Sequence, residues 1–268
     1  MIFFEMFRMS ISQNNTLHFN FFHPHSPAPG ARAEAVYSAN VVGYTKITLT
    51  GRDILGMQFE TVGIPEIPLN IQDIKATGLD SYIDSISVWN GLGYDPFVYY
   101  GSDAEGGVYE SDGETLVGPG WGDENQIASD ITLVAGSGFW LNPSSEAVIT
   151  IAGQVSSEDS VSVPAGRTQI SNPFPINLAI RNIGAIGLVS YVDSLSYWNG
   201  TGYESMIFYG EDAEGGVYES DGETLIGPGF GDENQIVSDV TIGIGKGFWI
   251  GSTSSAIITF PKPLIQTP

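Results

Sequence analysis

The sequence contains no cysteine, and its three histidines, His18, His23 and His25, all precede residue 37. A chain without cysteine has no disulfides and no thiolate metal sites. Because the body from Tyr37 onward also lacks histidine, Ser-His-Asp and Cys-His nucleophile systems and histidine-based zinc or iron sites are excluded there. We therefore predict that the protein is not an enzyme.

Positive charge is scarce as well: nine Lys and Arg stand against 31 Asp and Glu, which gives a formal net charge of −22. Such a surface repels phosphate backbones and anionic headgroups, so no nucleic-acid partner is expected. No apolar run approaches the roughly 18 residues of a transmembrane helix, so no membrane insertion is expected. Cations, neutral glycans and basic proteins remain as partner classes.

The chain does contain a long internal repeat. Residues 103–127 and 212–236 are identical at 23 of 25 positions and differ only at Val117/Ile226 and Trp121/Phe230. The offset of 109 residues holds without a gap from Leu69/Leu178 to Ile151/Phe260. We predict a tandem duplication of a unit of roughly 110 residues. Unit 1 spans residues 36–153 and unit 2 spans residues 154–268, and the polar stretch Gln154–Ser160 joins them.

Residues 1–35 are interpreted as a leader or a disordered tail. Ala33-Glu34-Ala35 is typical of a signal-peptide cleavage site, although the preceding aromatic and Pro-rich stretch is a poor apolar core. A secreted or cell-surface location is expected, through an export signal of unusual composition.

Short runs of Val, Ile, Thr and aromatic residues, broken by Gly, Asn, Asp and Pro, predict an all-β fold with sandwich-like or barrel-like units. A single pseudo-symmetric domain is the alternative to two separate units. Helical turns are expected only at Leu69–Leu79 and Leu178–Leu188. The other segments are predicted strands: Val41–Thr50, Ile54–Glu60, Ser85–Trp89, Tyr94–Tyr100, Ile131–Val134, Gly138–Leu141 and Ala147–Ile151, then Leu195–Trp198, Tyr203–Tyr209, Val240–Ile244, Gly247–Ile250 and Ala256–Phe260.

Several short motifs follow one another in a recognisable order: SANVVGY near the start of the body, VPAG followed by NPFP in unit 2, WNGLGY and WNGTGY, and GSGFWL and GKGFWI. This order resembles a group of secreted β-rich repeat proteins of Verrucomicrobia and related bacteria, of the SNVVGY, PAG, NGxGY and GxGFW type. The resemblance covers most of residues 38–260. It implies export and a β-rich repeat, and it implies no chemistry.

The repeated segment is a Gly-rich acidic loop with seven carboxylates and no cation in each copy. Hard oxygen ligands on a flexible loop suit Ca²⁺, although the spacing is not that of an EF-hand. The alternative is a solvated acidic loop that maintains solubility. The candidate metal ligands are Asp103, Glu105, Glu110, Asp112, Glu114 and Asp123, then Asp212, Glu214, Glu219, Asp221, Glu223 and Asp232.

The same loops contain a candidate ligand-binding set: Trp121 and Asn125 in one copy, Phe230 and Asn234 in the other. An aromatic ring beside acids and an amide could stack on a sugar, or it could fold back onto its own core. Strand tryptophans at 89, 140, 198 and 249 are expected in the core.

The sequence thus favours a secreted or cell-surface, non-catalytic structural or adhesion-type repeat protein, with self-association or glycan binding as its mode of interaction. The alternative is a Ca²⁺-dependent carbohydrate-binding module. A third hypothesis is a glycoside hydrolase that uses two of the many carboxylates.

Overall fold

A computed structural model describes residues 9–11, 17–19, 42–64 and 66–263. Most of the predicted leader 1–35 therefore lies outside the described residues, as does the stretch from residue 264 to the end. Within the leader, β1 (Met9–Ile11) pairs antiparallel with β2 (Leu17–Phe19).

The strands fall into two series, one on each side of residues 156–159. The first half contains β3 (Val42–Leu49), β4 (Asp53–Gly56), β5 (Phe59–Glu60), β6 (Leu69–Asn70), β7 (Lys75–Thr77), β8 (Ser85–Trp89), β9 (Tyr94–Tyr100), β10 (Val108–Tyr109), β11 (Leu116–Gly118), β12 (Gly120–Gly122), β13 (Thr132–Leu133), β14 (Gly138–Asn142) and β15 (Ala147–Val155). The second half contains β16 (Ser160–Val163), β17 (Gly166–Ser171), β18 (Leu178–Ala179), β19 (Gly184–Ile186), β20 (Ser194–Trp198), β21 (Tyr203–Tyr209), β22 (Val217–Tyr218), β23 (Leu225–Gly227), β24 (Gly229–Gly231), β25 (Thr241–Ile242), β26 (Gly247–Ser252) and β27 (Ala256–Thr259).

The all-β prediction is confirmed, and the β8–β9 hairpin has the predicted bounds. Its turn is closed by Asn90, whose side-chain Oδ1 accepts hydrogen bonds from the amides of Leu92 and Gly93 at 3.0 and 2.9 Å. The expected helical turns are only 3₁₀ turns of three residues, Ile71–Asp73 and Ile180–Asn182. Strands follow each of them, since β-branched residues and glycine disfavour a longer helix.

Each half has a five-stranded sheet and a smaller second sheet. In the first half the orders are β12-β9-β8-β14-β4 and β3-β15-β5, with β7 also paired to β15. In the second half they are β17-β26-β20-β21-β24 and β16-β27-β19. The sheets are arranged as a ring that resembles a four-bladed propeller.

The core of each half lies between its two sheets. In the first half, Ile149 of β15 is fully buried in one cluster with Phe139 of β14. In the second half, Ile258 of β27 shares a cluster with Phe248 of β26. Because side chains alternate across a strand, each five-stranded sheet has a second face that points away from its own core.

Candidate functional site

The two acidic loops have the same internal hydrogen bonds. Asp112 accepts hydrogen bonds from the amides of Glu114 and Thr115, both at 2.9 Å, and from the Thr115 hydroxyl at 2.7 Å. Asp221 accepts the same three bonds at the same distances. These bonds hold the pKa of both carboxyl groups below the ordinary value, chiefly through the backbone amides of Thr115 and Thr224.

A second aspartate fixes the other end of each loop. Asp123 Oδ1 accepts hydrogen bonds from the amides of Asn125 and Ile127 at 2.8 and 2.9 Å. Asp232 does the same in the second copy, at 2.8 and 3.0 Å. Near the loop start, Ser81 donates its hydroxyl proton to Asp103, and Ser190 donates to Asp212. The aspartates therefore act as caps of the loop backbone.

The remaining candidate metal ligands lie apart along each loop. Glu105 and Glu214 occupy left-handed backbone positions, with φ of 52° and 54°. Glu219 pairs with Arg181 at 2.9 Å. Glu110, Glu114 and Glu223 are exposed. Among the residues that the structure describes, no three or more His, Cys, Asp or Glu side chains come together in a group that could hold a metal ion.

The aromatic residues of the loops are in the core. Trp121 and Phe230 are both 0% exposed, and they pack edge-to-face on Tyr99 and Phe208 at 5.3 and 5.5 Å. Neither ring can serve as the exposed sugar platform that the sequence suggested, because hydrophobic burial draws it inward. Asn125 and Asn234 remain exposed beside the buried rings.

A different surface is built where the two halves meet. Leu55 of β4 bridges Lys246 just before β26, and Ser137 just before β14 bridges Ile170 of β17. The amide of Gly56 donates to the Gly245 carbonyl at 2.8 Å, and the Ser171 amide donates to Gly136 at 2.7 Å. The two five-stranded sheets are therefore joined edge to edge, with each half contributing the same kind of contact.

Four tryptophans lie at this junction. Trp140 is paired with Ile54 across the strands, and Trp249 with Gln169, so these side chains share the sheet faces that point away from the two cores. Trp140 and Trp249 are buried at 3% and 5% exposure, but against the other half of the chain. Trp140 and Trp249 are thus buried as expected and Trp89 and Trp198 are partly buried, but all four pack in a cluster between the halves and not in the main core of either half.

Six aromatic rings interlock there. Trp89, Tyr94 and Trp249 form one edge-to-face triad, with ring centroids 5.1 to 6.3 Å apart. The matching triad, at 5.4 to 6.3 Å, consists of Trp198, Tyr203 and Trp140. Two hydrogen bonds cross between the triads: the Trp140 indole donates to the Tyr94 hydroxyl at 2.7 Å, and Trp249 donates to Tyr203 at 3.2 Å.

Two arginines cover the tryptophans. The guanidinium carbon of Arg52 lies 4.0 Å from the ring centroid of Trp140, and that of Arg167 lies 5.4 Å from Trp249. Their backbones are held reciprocally by indole N–H groups, since Trp198 donates to the Arg52 carbonyl at 3.1 Å and Trp89 to the Arg167 carbonyl at 2.8 Å. We call the two triads, the two arginines and Gln169 the seam cluster.

The two halves contribute the same residue types to the seam cluster except at the position paired with Trp140 in one half and with Trp249 in the other. Ile54 in the first half is replaced by Gln169 in the second half, within the matching segments GRDIL and GRTQI. Gln169 is 4% exposed, and neither its amide nitrogen nor its carbonyl oxygen has a hydrogen-bond partner in the described part of the chain. A buried polar group without a partner is costly, so its presence calls for an explanation.

Sequence reasoning missed this cluster, although its signals are present. The pairs Gly51-Arg52 and Gly166-Arg167 are separated by 115 residues, six more than the main offset of 109. The repeat without gaps therefore does not align them. WNGLGY and WNGTGY give the tryptophan and tyrosine of each half, but no sequence pattern shows that the halves bring them together.

Compared with known proteins, the chain matches no family model, no curated protein and no solved structure. Within the described ranges, no helix has the length and apolar character needed to cross a membrane.

Proposed function

We propose that this chain is a secreted or cell-surface, non-catalytic structural or adhesion-type protein that presents two copies of one acidic surface. The observation that carries the proposal is the conformational identity of the two loops. Asp112 and Asp221 make the same three bonds, and Asp123 and Asp232 make the same two.

A loop that is fixed by its own aspartates offers its remaining carboxylates to solvent. Glu114 and Glu124 in the first copy, and Glu223 and Glu233 in the second, are exposed and accept no side-chain hydrogen bond in the described residues. Two rigid surfaces of like charge on one chain favour a cationic partner or surface. Their joint engagement raises the overall affinity without a new type of contact.

The direction of the carboxyl pKa shifts supports a non-catalytic role. A glycoside hydrolase needs one carboxylic acid with a raised pKa to protonate the leaving group. Among the described residues, the carboxyl groups with shifted pKa values are Asp112, Asp221 and Glu204, and all three pKa values are lowered; for Glu204 the largest cause is the hydrogen bond from Tyr197.

The Ca²⁺-dependent carbohydrate-binding module is the weaker candidate. The sugar platform predicted in the acidic loops is not available to a ligand, because Trp121 and Phe230 are buried. Calcium binding by the loop carboxylates stays a prediction that thermal unfolding can test.

Dissociation from a cationic surface tests the proposal. The full chain is adsorbed on an amine-terminated monolayer at about 0.15 M salt, where the Debye length is about 8 Å and contacts outweigh net charge. We expect Glu114→Gln with Glu124→Gln, or Glu223→Gln with Glu233→Gln, to accelerate release by about tenfold or more, and equally. Each of these double variants keeps only one intact acidic loop and therefore binds the surface through a single site. The two variants should dissociate at the same rate, whichever loop is changed.

The matched control removes the same number of charges elsewhere, with the exposed Glu146→Gln and Glu158→Gln. We expect it to dissociate like the unchanged protein. If the control accelerates release as much as the loop variants do, only net charge is acting, and the bivalent interpretation fails.

A further inference from the structure

Within the described part of the chain, the arginines of the seam cluster form no ion pair with a carboxylate. Arg181, Lys246 and Lys262 each form an ion pair with a carboxylate at 3.2 Å or less. Arg52 and Arg167 form none among the described residues, although the chain carries 31 acidic residues. Each of these two exposed guanidinium groups lies over a tryptophan of its own half, and its backbone carbonyl accepts an indole N–H from the other half.

The surrounding polar groups are mainly hydrogen-bond donors. Each guanidinium has five N–H donors and no acceptor. The hydroxyl oxygens of Tyr94 and Tyr203 already accept an indole N–H, which leaves each hydroxyl proton to be donated. Burial is the main cause of the raised pKa of Tyr94, and the hydroxyl therefore stays protonated at neutral pH. A ligand that is rich in acceptor oxygens would complement this surface.

Gln169 gives a second, independent indication of a ligand. Its carboxamide is buried without a partner on the same face as Trp249, where the other half of the chain has the apolar Ile54. If the contact between the halves had only a structural role, an isoleucine at residue 169 would fill the position equally well. Both amide atoms are closed to solvent, so a polar ligand at the cluster reaches the donors and the acceptor of the carboxamide only when the rings above it move aside.

The geometry is held ready before any ligand arrives. The indoles of Trp89 and Trp198 fix the backbone of both arginines, and the rings of Trp140 and Trp249 support the guanidinium groups. Preorganised donors of this kind lower the entropic cost of binding. Tyr94 and Tyr203, at 37% and 47% exposure, present ring surface beside them.

We propose that the seam cluster binds a short carboxylated saccharide, with a sugar ring against Tyr94 or Tyr203 and its carboxylate on Arg52 or Arg167. Planar guanidinium groups match carboxylates in bidentate geometry, and aromatic faces match the apolar faces of sugar rings. A second copy of the chain could also offer carboxylates. However, two bodies of charge −22 repel each other far more than a short uronate repels one of them. This site goes beyond the acidic loops and does not depend on the function proposed for them.

The test is a titration of the full chain with saccharides at about 0.15 M salt. Binding is measured by calorimetry and by tryptophan fluorescence. Trigalacturonate is the probe, galactotriose supplies the same rings without carboxylates, and acetate supplies the carboxylate without a ring. We expect saturable binding of trigalacturonate, binding of galactotriose that is weaker by about tenfold or more, and no saturation with acetate. Equal binding of the two trisaccharides, or binding of neither, overturns the proposal.

Three variants locate the site. Replacing both arginines, Arg52→Gln with Arg167→Gln, should weaken trigalacturonate binding by about tenfold or more, whereas the exposed control Lys46→Gln should leave it unchanged. Gln169→Ile copies the residue that the first half carries at Ile54. It should weaken binding while the thermal unfolding temperature is maintained or raised, since a buried unpaired amide is removed. The site is refuted if the double arginine variant and Gln169→Ile both stay folded and still bind trigalacturonate like the unchanged protein.

Analytical sedimentation tests the alternative occupant of the seam cluster, which is a second copy of the chain. If the unchanged chain self-associates and the arginine variants do not, while trigalacturonate fails to bind, then carboxylates of a second copy occupy the seam. The saccharide proposal is then wrong, and the acidic-loop experiment above is unaffected.

Discussion

Trp121 and Phe230 offer a matched pair of substitutions in nearly identical surroundings. Both side chains are fully buried, and 23 of the 25 residues in their segments are the same. They differ in one respect that matters energetically: the indole Nε1 of Trp121 is buried and has no hydrogen-bond partner among the described residues. Exchanging the residues, Trp121→Phe in one protein and Phe230→Trp in another, should therefore have unequal effects.

The magnitudes follow from two terms. Trp121→Phe removes two buried carbon atoms and the indole nitrogen, and the loss of the two carbons costs about 2 kcal/mol at roughly 0.8 kcal/mol for each methylene-sized group. It also removes an unpaired buried donor, whose penalty is about 1–3 kcal/mol. The terms oppose each other, so stability should stay within about 1 kcal/mol of the unchanged protein. Phe230→Trp adds the same atoms to a filled site, at about 1–3 kcal/mol, and buries a new donor, at about 1–3 kcal/mol. Its terms add to about 2–6 kcal/mol.

Urea unfolding followed by circular dichroism measures both values, and calorimetry gives the melting temperatures. At roughly 2–4 °C per kcal/mol for a chain of this size, Phe230→Trp should lower the melting temperature by at least about 4 °C. Trp121→Phe should shift it by no more than about 4 °C in either direction. If Trp121→Phe destabilises the protein as much as Phe230→Trp does, the buried N–H carries no penalty and the reasoning is refuted.

The remaining predictions concern the seam and the loops. A Cβ at Gly56 would lie 2.2 Å from the Ser171 Cβ, so Gly56→Ala should destabilise the chain by about 1–3 kcal/mol in urea unfolding. Adding Ser171→Gly to this variant should restore part of the lost stability. If the effects of the two substitutions on the free energy of unfolding simply add, the two residues are not in contact. The lowered pKa of Asp112 and Asp221 means that their stabilising contribution is present above the ordinary pKa of about 3.9 and is lost as pH falls through the folded value. Asp112→Asn with Asp221→Asn should therefore lower the melting temperature at about pH 6, and the difference should shrink as the pH falls below the ordinary carboxyl pKa; a difference that is undiminished in acid would contradict this. Adding about 5 mM Ca²⁺ after EDTA should move the melting temperature by less than about 1 °C, because the loop aspartates already accept backbone amides; a rise of several degrees that Mg²⁺ does not match would identify the loops as calcium sites.

Local sequence patterns predicted many of the strands correctly. The turn at Asn90-Gly91 and the flanking aromatic and β-branched runs gave the bounds of β8 and β9, because short-range backbone preference sets a hairpin. The helical turn expected within Leu69–Leu79 is present only as the 3₁₀ turn Ile71–Asp73, because glycine, β-branching and pairing with β13 and β15 keep the flanking residues extended. The sequence also identifies residues 103–127 and 212–236 as a repeated acidic segment. Whether Trp121 faced solvent or the core was left open, since a Gly-rich loop permits either.

The sequence by itself determined the all-β class, the two acidic loops and the exclusion of histidine and cysteine chemistry, because these follow from composition and local pattern. Only the tertiary structure decided what lies between the halves. Arg52 meets Trp140 and Trp198, and Arg167 meets Trp89 and Trp249, across separations of 78 to 146 residues for the hydrogen-bonded pairs. Such contacts depend on how two sheets join at their edges, and side-chain periodicity along one strand carries no information about the strand it will meet.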